Sequence, residues 1–463
     1  MAPHRFNPTI LREYDIRGTV GKTLSAADAN AIGKTFGTIV LREGKGTNVC
    51  VGFDGRVSSP ELEAALVEGL TSTGIDVTRI GRGPTPLLYY SVFHLESAGG
   101  IMVTGSHNPG DQNGFKLMLG RRAFHGAAIA ALGRAAGEGA FAQGKGRVAS
   151  KDVRADYLKE LVAGFKPKRG DRQLTVAWDP GNGAAGEIVG DLTARLPGRH
   201  IAMNTVIDGT FPSHHPDPAE EKNLRQIKDA VVTSKCDVGL AFDGDGDRLG
   251  VVDDRARMVS ADQILALLAR DVLAAHPGST VIADVKSSQM LFDEIARLGG
   301  TPVMWRTGHA LIKDKVAETK APLAGELSGH LFFADRYYGY DDALYAAVRV
   351  LAVLVDSERP LSALIDGLPR WASTPEIRIH CAEERKFVLI DELRTRLKQQ
   401  GALVIDIDGV RVSTADGWWL VRASNTEAAL VVRAEGRDDA ALARVREHLE
   451  RELKLSGAVL KTA

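Results

Sequence analysis

Apolar and polar positions along this chain follow two alternating periods. Residues 48–81, NVCVGFDGRVSSPELEAALVEGLTSTGIDVTRIG, open with a short apolar run and pause at Asp54 and small residues. They continue with apolar residues at helical spacing, a glycine, and a second apolar run. The stretch 174–205, LTVAWDPGNGAAGEIVGDLTARLPGRHIAMNT, repeats this plan around Asp179, and 279–308, STVIADVKSSQMLFDEIARLGGTPVMWRTG, repeats it around Asp284. A strand, a turn and an amphipathic helix recurring in this way predict parallel α/β units.

Each unit is followed by a second shared piece: strand, polar loop, strand, tight turn, helix. The three copies are GGIMVTGSHNPGDQNGFKLMLGRRAFHG, CDVGLAFDGDGDRLGVVDDRARMVSADQILALLARDVL and APLAGELSGHLFFADRYYGYDDALYAAVRVLAVLV. The tail differs. A strand and long helix, EIRIHCAEERKFVLIDELRTRLKQQ, precede short strands and a final amphipathic helix, DDAALARVREHLERELKL. The pattern predicts an α/β protein: three related mixed α/β domains at 1–153, 154–256 and 257–370, then a smaller α+β domain at 371–463. Ligands of open α/β sheets gather beyond the carboxyl ends of the strands, so the three polar loops are expected to meet in one cleft.

Composition narrows the partners. The 463 residues are 44% hydrophobic and 25% charged, and 58 basic against 59 acidic residues leave a net charge of −1. Such a balance gives no global field to recruit nucleic acid or an anionic membrane, so charge recognition must be local. Cys50, Cys236 and Cys381 are far apart and odd in number, which excludes a disulfide framework and fits a reducing compartment. The opening MAPHRFNPTI has no apolar core of a leader, and no long uncharged apolar run follows. A soluble, cytoplasmic, monomeric protein acting on a small molecule is expected.

The loops carry the chemistry. FDGDGDRLG (242–250) alternates Asp243, Asp245 and Asp247 with glycine, so that in an extended loop the carboxylates turn to one side around a hard divalent cation, Mg²⁺ or Ca²⁺. An EF-hand is excluded, because a strand precedes the motif and no Glu stands at the twelfth position. GELSGHLFF (325–333) sets Glu326, Ser328 and His330 at alternate positions, which in an extended segment face one way and suit sugar hydroxyls. LVRASNTEA (420–428) offers Arg422, Ser424, Asn425 and Thr426 for a phosphate. VTGSHNPGDQNGFKLM (103–118) mounts Ser106 on a loop after a buried strand, a setting that taken alone is that of a solvated turn. Tyr14 and Arg17 in YDIRG, Lys286 in VKSSQ and His309 in RTGHALIKD are weaker signals.

Together these motifs resemble the α-D-phosphohexomutases, and among them the bacterial phosphomannomutase/phosphoglucomutase group. TGSHNP resembles the phosphoserine loop, DGDGDR the Mg²⁺ loop, GELSGH the sugar loop and RASNTE the phosphate loop, in the family's order over essentially the whole chain. Gly105 and Ala428 stand where many members carry Ala and Pro, and neither position supplies a functional side chain. The resemblance implies that Ser106 holds the transferable phosphoryl group, and that Asp243, Asp245, Asp247 and a phosphoserine oxygen ligate Mg²⁺. It implies that Glu326 and Ser328 bind sugar hydroxyls and that Arg422, Ser424, Asn425 and Thr426 bind the unreacting phosphate. Lys116, Arg248, Lys286, His309, His330, Tyr14 and Arg17 would line the cleft, with His330 and Lys116 as the two candidates for general base and acid, in either order. The implied reaction interconverts hexose 1-phosphate and hexose 6-phosphate through a 1,6-bisphosphosugar, which also serves as activator. Two rivals are a Mg²⁺-dependent sugar-phosphate phosphatase and a phosphoglucosamine mutase, whose sugar loop usually carries Gln where Leu327 stands.

Overall fold

A computed structural model of the chain describes residues 2–44, 46–425 and 428–460. Three of its four sheets share one order of four strands. In the first, Asn48–Phe53 lies between the parallel strands Asp76–Arg82 and Gly99–Val103, and Gln112–Leu119 runs antiparallel beyond them. Thr175–Asp179, Arg199–Ala202, Val238–Phe242 and Leu249–Asp253 repeat this order in the second. Thr280–Asp284, Thr301–Trp305, Leu323–Gly325 and Leu331–Phe333 repeat it in the third. Helices cover the parallel strands, which is why Gly99–Val103 and Val238–Phe242 are buried along their whole length and read as unbroken apolar runs. Cys50 and Cys236 are buried with them.

Each repeat has an aspartate at the carboxyl end of its first strand, and each of these carboxylates anchors loops. Asp54 accepts from Thr104 Oγ1 at 2.9 Å and Gly105 N at 3.2 Å. Asp179 accepts from Asn204 Nδ2 at 3.0 Å and meets His214 Nε2 at 2.9 Å. Asp284 accepts from Thr307 Oγ1 and Leu327 N, both at 3.1 Å. A buried carboxylate must be satisfied, and nearby backbone N–H and hydroxyl groups do so by closing the turns.

The tail forms a six-stranded sheet that includes Ala429–Gly436, Gly417–Ala423 and Val410–Ser413. Helices Glu383–Gln399 and Asp439–Leu455 share an apolar core with it. Another part of the sheet leans on the third repeat, where Trp418 and Leu420 pack with Val285. Among the described residues no helix is long and apolar enough to cross a membrane.

Candidate functional site

Ser106 follows the buried strand Gly99–Val103 and has a left-handed backbone, with φ of 50°. For a non-glycine residue this costs about 1–2 kcal/mol and persists only where the surroundings over-determine it. Here its N–H donates to Thr104 Oγ1 at 2.9 Å, and its carbonyl accepts from Arg56 Nη2 at 2.7 Å. The side chain is consequently aimed across the domain boundary. Ser106 Oγ donates to Asp243 Oδ2 at 2.9 Å and stands 3.2 Å from His107 Nδ1.

The acidic loop is a tight turn rather than the extended segment expected, closed by Gly246 N donating to Asp243 O at 3.1 Å. The turn still brings the three carboxylates together, with oxygens of Asp243, Asp245 and Asp247 within 4.8 Å of one another. All are fully buried. Lys116 Nζ donates to Asp245 Oδ2 at 2.7 Å and also to Asp247 Oδ2. Thr85 Oγ1, at the start of helix Thr85–His94, donates to Asp245 Oδ2 at 2.5 Å. Asp245 Oδ1 is buried with no hydrogen-bond partner among the described residues. Burial and the fields of Asp245 and Asp247 push the Asp243 carboxyl well above the usual range. Burial disfavours charge on Lys116 as well, yet Asp245 and Asp247 outweigh it and hold its pKa above normal. An all-oxygen cluster with one oxygen free of protein partners is the kind of site that takes a small divalent cation. The donor set fits such an ion.

The third loop also departs from the extended form expected. Residues 326–330 turn back on themselves through Gly329, whose φ is 99°, and Glu326 N donates to His330 O at 2.9 Å. The turn sets Glu326 Oε2 2.9 Å from His330 Nδ1, and Ser328 Oγ lies 3.2 Å from the same nitrogen. Glu326 Oε1 accepts from Gly308 N at 2.6 Å. The other imidazole nitrogen, His330 Nε2, lies between Asp247 Oδ1 at 3.2 Å and Arg248 Nε at 3.3 Å. Burial works against the imidazolium, but Asp247 and Glu326 overcome it and lift the His330 pKa to about 9. His309 packs beside it, ring centres 5.4 Å apart, with Asp341 Oδ2 3.4 Å from its Nδ1. Burial and then Lys313 keep the His309 pKa low.

The remaining cations split between two places. Arg17 joins the Ser106 loop, donating to Asn108 Oδ1 at 2.6 Å and Asp15 Oδ2 at 2.5 Å. Tyr14, from the same short segment, reaches the other way and donates to Thr307 O at 2.6 Å. Asn425 Nδ2 donates to the Tyr14 hydroxyl. Arg422 Nε donates to Asp408 Oδ2 at 3.0 Å, and the same oxygen accepts from Thr307 N at 3.0 Å. Ser424 N donates to Ala429 O at 2.9 Å within the same hairpin, whereas Thr426 lies outside the described residues. Lys286 Nζ meets Glu376 Oε2 of the tail at 3.1 Å. Sequence reasoning missed Thr85, Asp341, Asp408 and Glu376, whose partners come from other parts of the chain and leave no local signal. It also missed Arg56, whose place two residues after the first repeated aspartate matches that of Lys286 and was a usable signal.

The chain matches four family models in succession. These are the phosphoglucomutase/phosphomannomutase alpha/beta/alpha domains I (8–130), II (155–256) and III (260–371) and the C-terminal domain (376–452). The chain belongs to the phosphoglucomutase/phosphomannomutase family. Like the rest of that family it is a phosphohexomutase, an intramolecular phosphotransferase of the isomerase class. It is 42% identical over 449 residues, 96% of each chain, to the phosphomannomutase/phosphoglucomutase of Pseudomonas aeruginosa. It is 41% identical over 445 residues to the phosphoglucomutase of Neisseria meningitidis, covering 95% of this chain and 96% of that one. A crystal structure of a phosphoglucomutase/phosphomannomutase family protein from Burkholderia thailandensis is 42% identical, covers 98% of both chains and superposes with a TM-score of 0.91. In this family member the three loops face one another across repeat boundaries, and the C-terminal sheet supplies the fourth side.

Proposed function

We propose that the protein interconverts the 1- and 6-phosphates of glucose and mannose, with Ser106 carrying the phosphoryl group between turnovers. The observation that carries this reading is the Ser106–Asp243 contact at 2.9 Å, made between two repeats and beside an acidic cluster with an unsatisfied oxygen. The phosphorylated serine gives its group to the free hydroxyl of the sugar phosphate, the bisphosphate turns end for end, and Ser106 takes back the other group. Phosphoryl transfer depends on positioning and on offsetting charge. Asp243, Asp245 and Asp247, with a phosphoserine oxygen, would hold Mg²⁺, which would supply charge neutralisation at the transferring group. Lys116 and Arg248 add fixed positive charge on the same side. Arg422, Ser424, Asn425 and Thr426 hold the phosphate that is not reacting, with Tyr14 and Lys286 at its rim and Glu326, Ser328 and His309 on the sugar.

His330 is suited to exchange the hydroxyl proton. Its Nε2 has a partner for each protonation state: it donates to Asp247 when charged and accepts from Arg248 when neutral. Lys116, held charged between two carboxylates, keeps its proton and stabilises charge, while His330, lifted to about 9, starts as the acid and acts as base once neutral. The fourth domain closes on the substrate phosphate and excludes water as a rival acceptor.

Intact-mass measurement tests the central step. A fraction of the purified protein is expected to be one phosphoryl group heavier, and Ser106→Ala should remove that species and lower turnover by more than about a thousandfold. Catalytic hexose 1,6-bisphosphate should restore activity to dephosphorylated wild type. Release of inorganic phosphate faster than isomerisation would mark a phosphatase and overturn the reading.

A further inference from the structure

Arg56 lies two residues beyond Asp54, the place that Gly181 takes after Asp179 and Lys286 after Asp284. The second repeat has no side chain there, since the place is taken by Gly181, whose φ is 55° and whose added Cβ would stand 3.1 Å from the His214 ring. In the third, Lys286 projects toward the tail and is met by Glu376. Arg56 instead folds under the loop that carries Ser106.

A guanidinium has five N–H donors in a rigid plane. In Arg56 all five find acceptors. Nη2 donates to Ser106 O and Asn108 O, each at 2.7 Å, and Nη1 to Pro109 O at 2.6 Å and Gln112 O at 2.9 Å. Nε donates to Asp54 Oδ2 at 3.2 Å. The side chain has 0% exposure, so water has no part in this arrangement. The Phe211 ring of the second repeat lies 5.2 Å from the guanidinium carbon. The loop is thus wrapped around one planar cation that gathers four of its carbonyl oxygens.

That wrapping has a chemical consequence. A carbonyl oxygen is the negative end of a dipole, and one turned toward a dianionic phosphoserine would repel it. Arg56 draws four of them to its own side and fixes the Ser106 carbonyl, which helps hold the left-handed backbone that aims Oγ at Asp243. We infer that Arg56 is a positioning residue for phosphoryl transfer, setting the attitude of Ser106 without touching the substrate. The inference rests on the reading of Ser106 as the phosphoryl carrier.

Arg56→Lys keeps the charge but offers three donors on a flexible stem. A displacement of the reacting group by about an ångström costs on the order of a hundredfold in rate. Arg56→Lys should therefore lower kcat by roughly a hundredfold, with KM for glucose 1-phosphate within about threefold of wild type. Phosphorylation of Ser106 by glucose 1,6-bisphosphate, followed by mass, should slow by the same factor. A folded variant with wild-type kcat would overturn the role, as would a KM raised as much as kcat is lowered, which marks general disorder of the cleft. If Arg56→Lys does not fold, Phe211→Ala serves instead, since it uncovers the guanidinium and removes none of its hydrogen bonds. It should lower kcat by several-fold at unchanged KM, and unchanged kcat would overturn the role. Wild-type protein in which Ser106 accepts no phosphate overturns the carrier reading itself, and the positioning role with it.

Discussion

Asp341 and Asp342 are neighbours in sequence, both fully buried, and they face different surroundings. Asp341 belongs to the cleft: Lys313 Nζ donates to it at 2.8 Å, His309 stands nearby, and its Oδ2 has no hydrogen bond among the described residues. Burial opposes its charge, but Lys313 and His309 outweigh it and keep the carboxyl well below the usual range. Asp342 belongs to a tyrosine cluster, accepting from Tyr157 and Tyr337 hydroxyls at 2.9 and 2.8 Å and from Tyr345 N at 2.9 Å. Burial pushes its pKa up to about 6, and those hydrogen bonds offset only part of the rise. Neutral donors satisfy geometry and leave the charge unpaid. Cationic neighbours do the reverse at Asp341, as Lys116 does at Asp245: the carboxylate stays ionised while one oxygen stays unsatisfied and free for a ligand.

The largest effect that tests this distinction lies at Asp245, whose free oxygen belongs to the proposed ion site. Asp245→Asn removes an anionic ligand while keeping the side chain's shape. Turnover should fall roughly a thousandfold, since a metal contributes several kcal/mol of transition-state stabilisation. Chelator should inactivate wild type reversibly, with Mg²⁺ restoring it. Full activity of the Asn variant in chelator would place the cluster on the structural side of the comparison, with Asp342.

A smaller effect is expected at Arg422, where a cation is held by Asp408 at the join of the tail and the third repeat. Arg422→Lys retains the charge and loses the planar fork through which Arg422 is proposed to hold phosphate by two hydrogen bonds. KM should rise about tenfold, and some bisphosphate should escape the closed cleft, detectable by quenching and separating the sugar phosphates. Unchanged KM with no escaping bisphosphate would mean that Arg422 only braces Asp408.

Much of this was legible in the chain. The threefold recurrence of strand, aspartate and helix needs only periodicity, and the sheets keep one strand order because each repeat solves the same packing problem. The content of the loops was equally plain. Their shape was not: the extended form expected for residues 326–330 is replaced by a turn, because Gly329 admits a positive φ and the Glu326–His330 backbone bond closes it. Pairings across repeats were also out of reach. Thr85, Asp341 and Asp408 acquire their roles from what the assembled domains bring to them, and no local spacing encodes that. Arg56 and Lys286 make the same point, since equal places in two repeats do not tell which way a side chain turns.

The smallest expected effect lies on the other side of the comparison, at Asp342. Its folded pKa of about 6 is above the value of about 3.9 for an unfolded chain. The folded protein therefore holds this proton more tightly. The stability gained from the protonated form is fully present below pH of about 4 and is lost as pH rises through about 6. Above that pH the fold carries a buried charge at a cost of up to ~3 kcal/mol. Asp342→Asn is neutral at every pH and still caps helix Ala343–Val355, because Asn is as good an N-cap as Asp. Its amide can donate to the Tyr157 and Tyr337 oxygens, and Tyr337 can turn its proton to the Tyr340 oxygen, whereas the Tyr157 proton loses its acceptor and reduces the gain. Thermal melts of wild type and variant should agree closely near pH 4.5 and separate above pH 6, with the variant the more stable by a few degrees. Turnover at pH 7.5 should stay within about twofold of wild type, because this carboxylate has no part in the cleft. Equal destabilisation at both pH values would show that the tyrosines require an anion, and the contrast between Asp341 and Asp342 would collapse.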